Sequence, residues 1–127
     1  GHIGPQVGLL AESLGMKVVF HDIVKKLPLG NARQVSDLEE LLRVSDFVTL
    51  HVPDTPLTRG MIGREQLACM PAGSYLLNLS RGSVVNIPAL QEALRSGHLA
   101  GAAVDVSRGS RIPARTRSIP SCAAWRT

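Results

Sequence analysis

The feature that most constrains this sequence is an alternation of short apolar runs with helix-like segments, repeated four times. Each apolar run is continuous rather than alternating with polar residues, which is typical of parallel strands covered on both faces. The runs predicted as strands are Met16–His21, Phe47–Leu50, Ser74–Asn78 and Leu99–Val106. Strands that alternate with helices predict an α/β fold built on a doubly wound parallel sheet. Ligands of such a sheet lie at the carboxyl ends of its strands.

The helical segments have recognisable ends. Apolar residues at helical spacing follow the opening glycines and stop at Gly15, a residue type suited to ending a helix. The next helix is predicted to begin at Ser36 as N-cap, with Glu39 completing a capping box. A short helix over Arg64–Met70 and a helix with Pro88 in its first turn complete the pattern. The segments predicted as loops are residues 23–32, 54–63 and 79–86.

The charge of the chain is distributed unevenly. Residues 1–106 hold nine basic and ten acidic residues, whereas residues 107–127 hold five arginines and no acid. The net charge of +4 therefore belongs to the last segment, and it does not indicate nucleic-acid binding by the domain. No apolar run approaches the roughly 20 residues that a membrane span needs. The two cysteines form neither a disulfide framework nor a metal motif, which predicts a cytoplasmic protein without a metal site.

Two features indicate a dinucleotide site. Gly1 and Gly4 precede the first helix, whose N-terminal N–H groups would face a pyrophosphate, although these four residues alone are more typical of a plain turn. Asp22 follows the next predicted strand, 21 residues after Gly1. At this spacing of a Rossmann-type fold an acid accepts the adenosine ribose hydroxyls and disfavours a 2′-phosphate, so NAD is favoured over NADP. The structural alternative is an Asp that caps a turn.

Arg81 and His51 are the other candidates, and each follows a predicted strand. Arg81 stands beside Gly82, where a guanidinium can hold a carboxylate bidentately, and a solvated arginine is the alternative. His51 is compatible both with lining a cofactor site and with a structural hydrogen bond.

The segment from Gly1 to Val106 resembles the D-2-hydroxyacid dehydrogenase family. The motifs that carry the resemblance are G-H-I-G at 1–4, L-A-E-S-L-G-M at 10–16, K-L-P-L-G-N-A at 26–32, L-H-V-P at 50–53, N-L-S-R-G at 78–82, I-P-A-L at 87–90 and H-L-A-G-A-A-V-D-V at 98–106. The L-H-V-P and N-x-S-R-G motifs are shared across the family. The K-L-P-L-G-N-A loop is most similar to bacterial phosphoglycerate dehydrogenases.

The resemblance implies NAD as cofactor and a 2-hydroxy acid as substrate. The residues it implies for cofactor binding are Gly1, His2, Ile3, Gly4, Asp22, His51, Val52, Pro53, Leu79, Ser80, Arg81 and Asp105. Arg81 would also be catalytic, because it would orient the substrate carboxylate and polarise the carbonyl. The implied reaction is oxidation of 3-phosphoglycerate to 3-phosphohydroxypyruvate, the entry to serine biosynthesis, in a homo-oligomeric enzyme.

The resemblance ends after Val106, where the family continues with Phe-Pro-x-Glu-Pro, and the family's general acid/base His and the Glu that pairs with it both lie beyond this point. We interpret residues 1–106 as a partial NAD-binding domain lacking its first strand, and residues 107–127 as a disordered basic tail outside the family pattern. A reading-frame slip after Val106 and a genuine alternative end are both open as origins of this tail. Without that Glu, that His and a substrate domain, we expect these residues alone to be inactive.

Two other functions are compatible with the sequence. A non-catalytic NAD-binding module, or a corepressor-like relative that uses this domain for protein interaction, would keep the fold without the reaction. The presence of Arg81 favours the enzyme. Nucleic-acid binding by the arginine-rich tail is less favoured, because Trp125 is its only aromatic residue.

Overall fold

The computed structural model describes residues 3–105, which form four α-helices, five strands and one 3-10 turn. The elements, in chain order, are α1 (Ile3–Ser13), β1 (Val19–Phe20), β2 (Arg33–Gln34), α2 (Leu38–Val44), β3 (Phe47–Leu50), α3 (Arg64–Cys69), β4 (Ser74–Asn78), the 3-10 turn (Gly82–Val84), α4 (Ile87–Arg95) and β5 (Leu99–Val104). The prediction for residues 107–127 lies outside the described residues.

The larger sheet has the strand order β3-β4-β5, and all its strands are parallel. Phe47 pairs with Tyr75, and Asn78 pairs with both Leu50 and Val104 at the other end of the strands. Helix α3 connects β3 to β4, and α4 connects β4 to β5, because parallel neighbours need a crossover connection. This arrangement confirms the predicted α/β fold.

A second, two-stranded parallel sheet is formed by β1 and β2, with Val19 opposite Arg33. In the doubly wound order another strand lies between the strands that correspond to β1 and β3. Within residues 3–105 no strand occupies that place, since β1 and β3 belong to separate sheets. The described residues therefore match the predicted Rossmann-type sheet without its first strand.

The hydrophobic core lies between the larger sheet and helices α2, α3 and α4. Its largest fully buried apolar side chains are Leu42, Ile62, Leu67, Met70, Leu76, Val84 and Leu99. Burying one such side chain stabilises the fold by about 1.5–3 kcal/mol. The core thus fixes β3, β4 and β5 relative to one another, and with them the loops at their carboxyl ends.

The opposite face of the larger sheet is only partly covered, although the apolar runs predicted cover on both faces. Phe47 stacks on Tyr75 there, with ring centroids 4.9 Å apart, and both are half-buried. A Cβ at Gly101 would lie 3.2 Å from the Tyr75 ring, so this position accommodates glycine best. Helix α1 likewise buries none of its side chains completely.

Local details correct two expectations. The N-cap of α2 is Asp37, whose side chain accepts a hydrogen bond from the Glu39 N–H, so the predicted capping box at Ser36 is wrong by one residue. The first predicted strand is shorter than expected, because only Val19 and Phe20 pair with β2. Strand β2 was not predicted, since Arg33–Gln34 carries no apolar pattern.

Candidate functional site

The carboxyl ends of β3, β4 and β5 lie side by side, as their parallel register requires. His51 follows β3, Leu79 follows β4 and Asp105 follows β5. The backbone N–H of Asp105 donates a hydrogen bond of 2.8 Å to the carbonyl oxygen of Asn78. Three of the segments predicted to form the site therefore meet at one edge of the sheet.

The loop after β4 is organised by the buried side chain of Asn78. Its Nδ2 donates to the Arg81 carbonyl oxygen at 2.8 Å. Its Oδ1 accepts from the Ser80 backbone N–H at 3.1 Å and from the Ser80 hydroxyl at 2.8 Å. Asn78 has no exposed surface, and these three bonds use both ends of its amide. The path of the chain through Arg81 is thus set by one amide side chain.

Arg81 itself is exposed at the rim of this edge. Among residues 3–105 it takes part in none of the ion pairs, so its guanidinium is not occupied by a protein carboxylate. Leu79, two residues earlier, is 61% exposed. Both side chains are therefore accessible to a ligand.

The neighbouring loop, residues 53–60, is held against the segment that follows Arg81. The Arg59 Nε donates to the Asp54 Oδ1 at 2.8 Å, and this bond lowers the pKa of Asp54. The Gly60 N–H donates to the Ser83 carbonyl oxygen at 2.8 Å. The loops after β3 and β4 thereby form one connected rim.

His51 lies between this rim and helix α1. Its Nε2 is hydrogen-bonded to the Thr49 hydroxyl at 3.0 Å, and burial lowers the pKa of the imidazole. A Cβ placed on Gly4 would lie 3.9 Å from the His51 Cβ. The start of α1 is therefore adjacent to the loop after β3.

Asp22 belongs to the other sheet, just beyond β1. Its Oδ1 accepts from the Val24 N–H at 3.0 Å, and its Oδ2 forms an ion pair with Lys26. The Lys26 hydrogen bond lowers the pKa of this carboxyl, and the Val24 hydrogen bond lowers it further. The side chain keeps 28% of its surface exposed, so it remains reachable by a ligand.

The remaining residues predicted for cofactor binding lie at the start of the chain and in the loop after β3. Gly1 and His2 lie outside the described residues, and Ile3 is exposed at the start of α1. Val52 packs against the core, and the Pro53 carbonyl accepts a hydrogen bond from Thr58 at 2.6 Å.

Sequence reasoning did not identify Asn78, Lys26 or Asp54 as contributors to this region. Asn78 could have been identified, because a polar residue that ends a buried strand just before Leu-Ser-Arg-Gly needs hydrogen-bond partners. The contacts of Lys26 and Asp54 depend on loop conformations that no local pattern specifies.

Residues 3–105 contain no group of three or more His, Cys, Asp or Glu side chains that could hold a metal ion. Within the same residues no helix has the length and apolar character to cross a membrane.

Comparisons with known proteins agree with this geometry. The model of the D-isomer specific 2-hydroxyacid dehydrogenase NAD binding domain matches residues 1–123. The D-3-phosphoglycerate dehydrogenases of Dictyostelium discoideum and Escherichia coli K12 are each 61% identical over 106 residues. These alignments cover 84% of this chain and 26% of each relative, so the chain spans about a quarter of their length.

A solved structure shows the same fold with the cofactor. The NAD-complexed D-isomer specific 2-hydroxyacid dehydrogenase of Lactobacillus delbrueckii ssp. bulgaricus superposes with a TM-score of 0.78 at 37% identity, over 83% of this chain and 33% of that one. The predicted family and the predicted cofactor, NAD, are thus confirmed. The chain belongs to the D-isomer specific 2-hydroxyacid dehydrogenase family, as part of its NAD-binding domain.

Proposed function

We propose that this chain is the NAD-binding part of an enzyme that oxidises 3-phosphoglycerate to 3-phosphohydroxypyruvate, the entry to serine biosynthesis. The observation that carries the proposal is the 61% identity to enzymes named D-3-phosphoglycerate dehydrogenase. The exposed Arg81 at the carboxyl edge of the larger sheet supports catalysis over a purely binding role.

The described residues fit a bound NAD. Helix α1 has no acidic side chain in its first turn, so its N-terminal N–H groups are compatible with a diphosphate. Gly4 leaves room between the helix and His51. The partly exposed carboxylate of Asp22 is suited to accept the adenosine ribose hydroxyls. When bound, NAD supplies the acceptor for the hydride that leaves the substrate.

In this proposal Arg81 holds the substrate carboxylate by two parallel hydrogen bonds and polarises the reacting C–O group. Ser80 and Leu79 lie beside the nicotinamide, Asp105 lies near its carboxamide, and His51, Val52 and Pro53 line the adenine-side cleft. Asn78 keeps the Arg81 backbone in place, which matters because small misplacements of a positioning group are costly to the rate.

The motif by which we would assign the family's general acid/base His and its partner Glu is not recognisable after Val106, although the family model matches residues 1–123. We therefore expect a polypeptide of these residues to bind NAD without oxidising the hydroxy acid.

The proposed enzyme is a cytoplasmic homo-oligomer. Helix α1 exposes Ile3, Leu9 and Leu10, and Leu14 just beyond it is exposed as well, a concentration of apolar surface that favours association. The free thiol of Cys69 is compatible with a reducing compartment.

The test of the proposed reaction is Arg81→Lys in the whole enzyme, measured as NAD-dependent oxidation of 3-phosphoglycerate. Lysine keeps the charge but loses the bidentate fork, so we expect kcat/KM to fall about 100-fold. The control is Arg95→Lys, at the exposed end of α4, which should leave kcat/KM unchanged. Equal activities of the two variants would contradict the role of Arg81.

A further inference from the structure

The loop after β1 contains an ion pair whose role the proposed function leaves open. Lys26 contacts the Asp22 carboxylate, which is the group expected to bind the adenosine ribose. The two side chains are 39% and 28% exposed, so the pair lies at the surface, where an arriving nucleotide can reach both partners.

The position of Lys26 relative to Asp22 is fixed by the side chain of Gln34 on β2. The Gln34 Nε2 donates to the carbonyl oxygens of Asp22 at 3.5 Å and Val24 at 3.1 Å. The Gln34 Oε1 accepts from the Lys26 backbone N–H at 3.2 Å. One amide therefore holds the backbone of residues 22–26 in the turn that brings the Lys26 ammonium group to the Asp22 carboxylate.

The ammonium group beside Asp22 changes the electrostatic potential that a 2′-phosphate of the cofactor would meet. A lone carboxylate repels a 2′-phosphate, which carries about −1.5 to −2 charges at neutral pH. An ammonium group in contact with that carboxylate offsets its charge and is itself an attractive partner for a phosphate. Lys26 also competes with the ribose hydroxyls for Oδ2 of Asp22.

We propose that Lys26 is a specificity-determining residue that weakens the discrimination of Asp22 against NADP. This inference rests on the proposed ribose-binding role of Asp22. The residue lowers the ratio of NAD affinity to NADP affinity below that of a site with the acid alone.

The experiment is isothermal titration calorimetry of the 127-residue chain with NAD and with NADP. We expect Lys26→Gln to raise the preference for NAD about fivefold, the magnitude of one partly exposed charge pair, mainly by weakening NADP binding. The matched control is Lys25→Gln, which removes the same charge one residue earlier and should leave the preference unchanged.

A second pair of variants tests the coupling. Asp22→Asn removes the repelling carboxylate and leaves Lys26 without its acid, so the preference should move towards NADP, and the added Lys26→Gln substitution should reverse part of that movement. If NAD binds but Lys26→Gln leaves the preference unchanged, or changes it no more than Lys25→Gln does, only the role of Lys26 is overturned. If the chain binds neither dinucleotide, the NAD site of the proposed function is overturned with it.

Discussion

At the carboxyl end of β4, one buried amide side chain holds the loop that carries Arg81. Asn78 is itself fully buried, and it is the hydrogen-bond partner of a carbonyl oxygen, a backbone N–H and a hydroxyl of this loop. A buried polar group left without its partner costs about 1–3 kcal/mol. The catalytic candidate therefore depends on a neighbour that touches no substrate.

We predict that Asn78→Ala lowers the free energy of unfolding by about 1–3 kcal/mol, because it leaves the Arg81 carbonyl and the Ser80 N–H without their partner. Urea denaturation of the purified chain measures this change. Ser80→Ala is the control, since it removes only the hydroxyl and keeps the backbone hydrogen bond to Asn78. The interpretation is wrong if the two variants lose the same stability.

The candidate site was predictable from the sequence only in part. Asp22 and Arg81 could be named as candidates because the end of a strand is a local feature that also marks the ligand edge of a parallel sheet. Lys26 was missed, because its contact with Asp22 depends on the turn at residues 22–26 and on Gln34 from another strand.

At the scale of elements, the strands that form one continuous apolar run could be predicted from the sequence, and those that depend on a distant partner could not. The bounds of β3 and β4 match the predicted apolar runs, which are preceded directly by Asp46 and Gly73. Strand β1 is shorter than its apolar run, and β2 was missed, because a strand exists only where a partner is available. The local pattern of apolar and polar residues does not specify which distant segments pair as strands.

Two substitutions at the start of α2 test which residue is its N-cap. We expect Asp37→Ala to lower the free energy of unfolding by about 1 kcal/mol, since Asp37 accepts the hydrogen bond from the Glu39 N–H at the helix start. Ser36→Ala should change it by less than about 0.5 kcal/mol, the usual range for substitutions away from such a cap. Thermal or urea unfolding of both variants provides the measurement, and a larger loss for Ser36→Ala would restore the capping box predicted from the sequence.

At the scale of the whole molecule, the candidate residues are divided between two sheets. Asp22 follows β1, whereas His51 and Arg81 follow strands of the larger sheet. Helix α1 lies close to both, because Gly4 is near His51 and a Cβ on Gly8 would lie 3.5 Å from the Val18 side chain. A dinucleotide that contacts Asp22 and the start of α1 would therefore link the two sheets, and its binding free energy would add to the stability of the folded chain.

Calorimetric measurement of NAD binding by the 127-residue chain tests the proposed cofactor site most directly. We predict binding to the unaltered chain and binding about 10- to 100-fold weaker in Asp22→Ala, the loss expected for hydrogen bonds to a charged group. Asp46→Ala is the matched control, because Asp46 is an exposed acid at the opposite end of the larger sheet, just before β3. Absence of NAD binding, or equal affinity in Asp22→Ala and Asp46→Ala, would contradict the account.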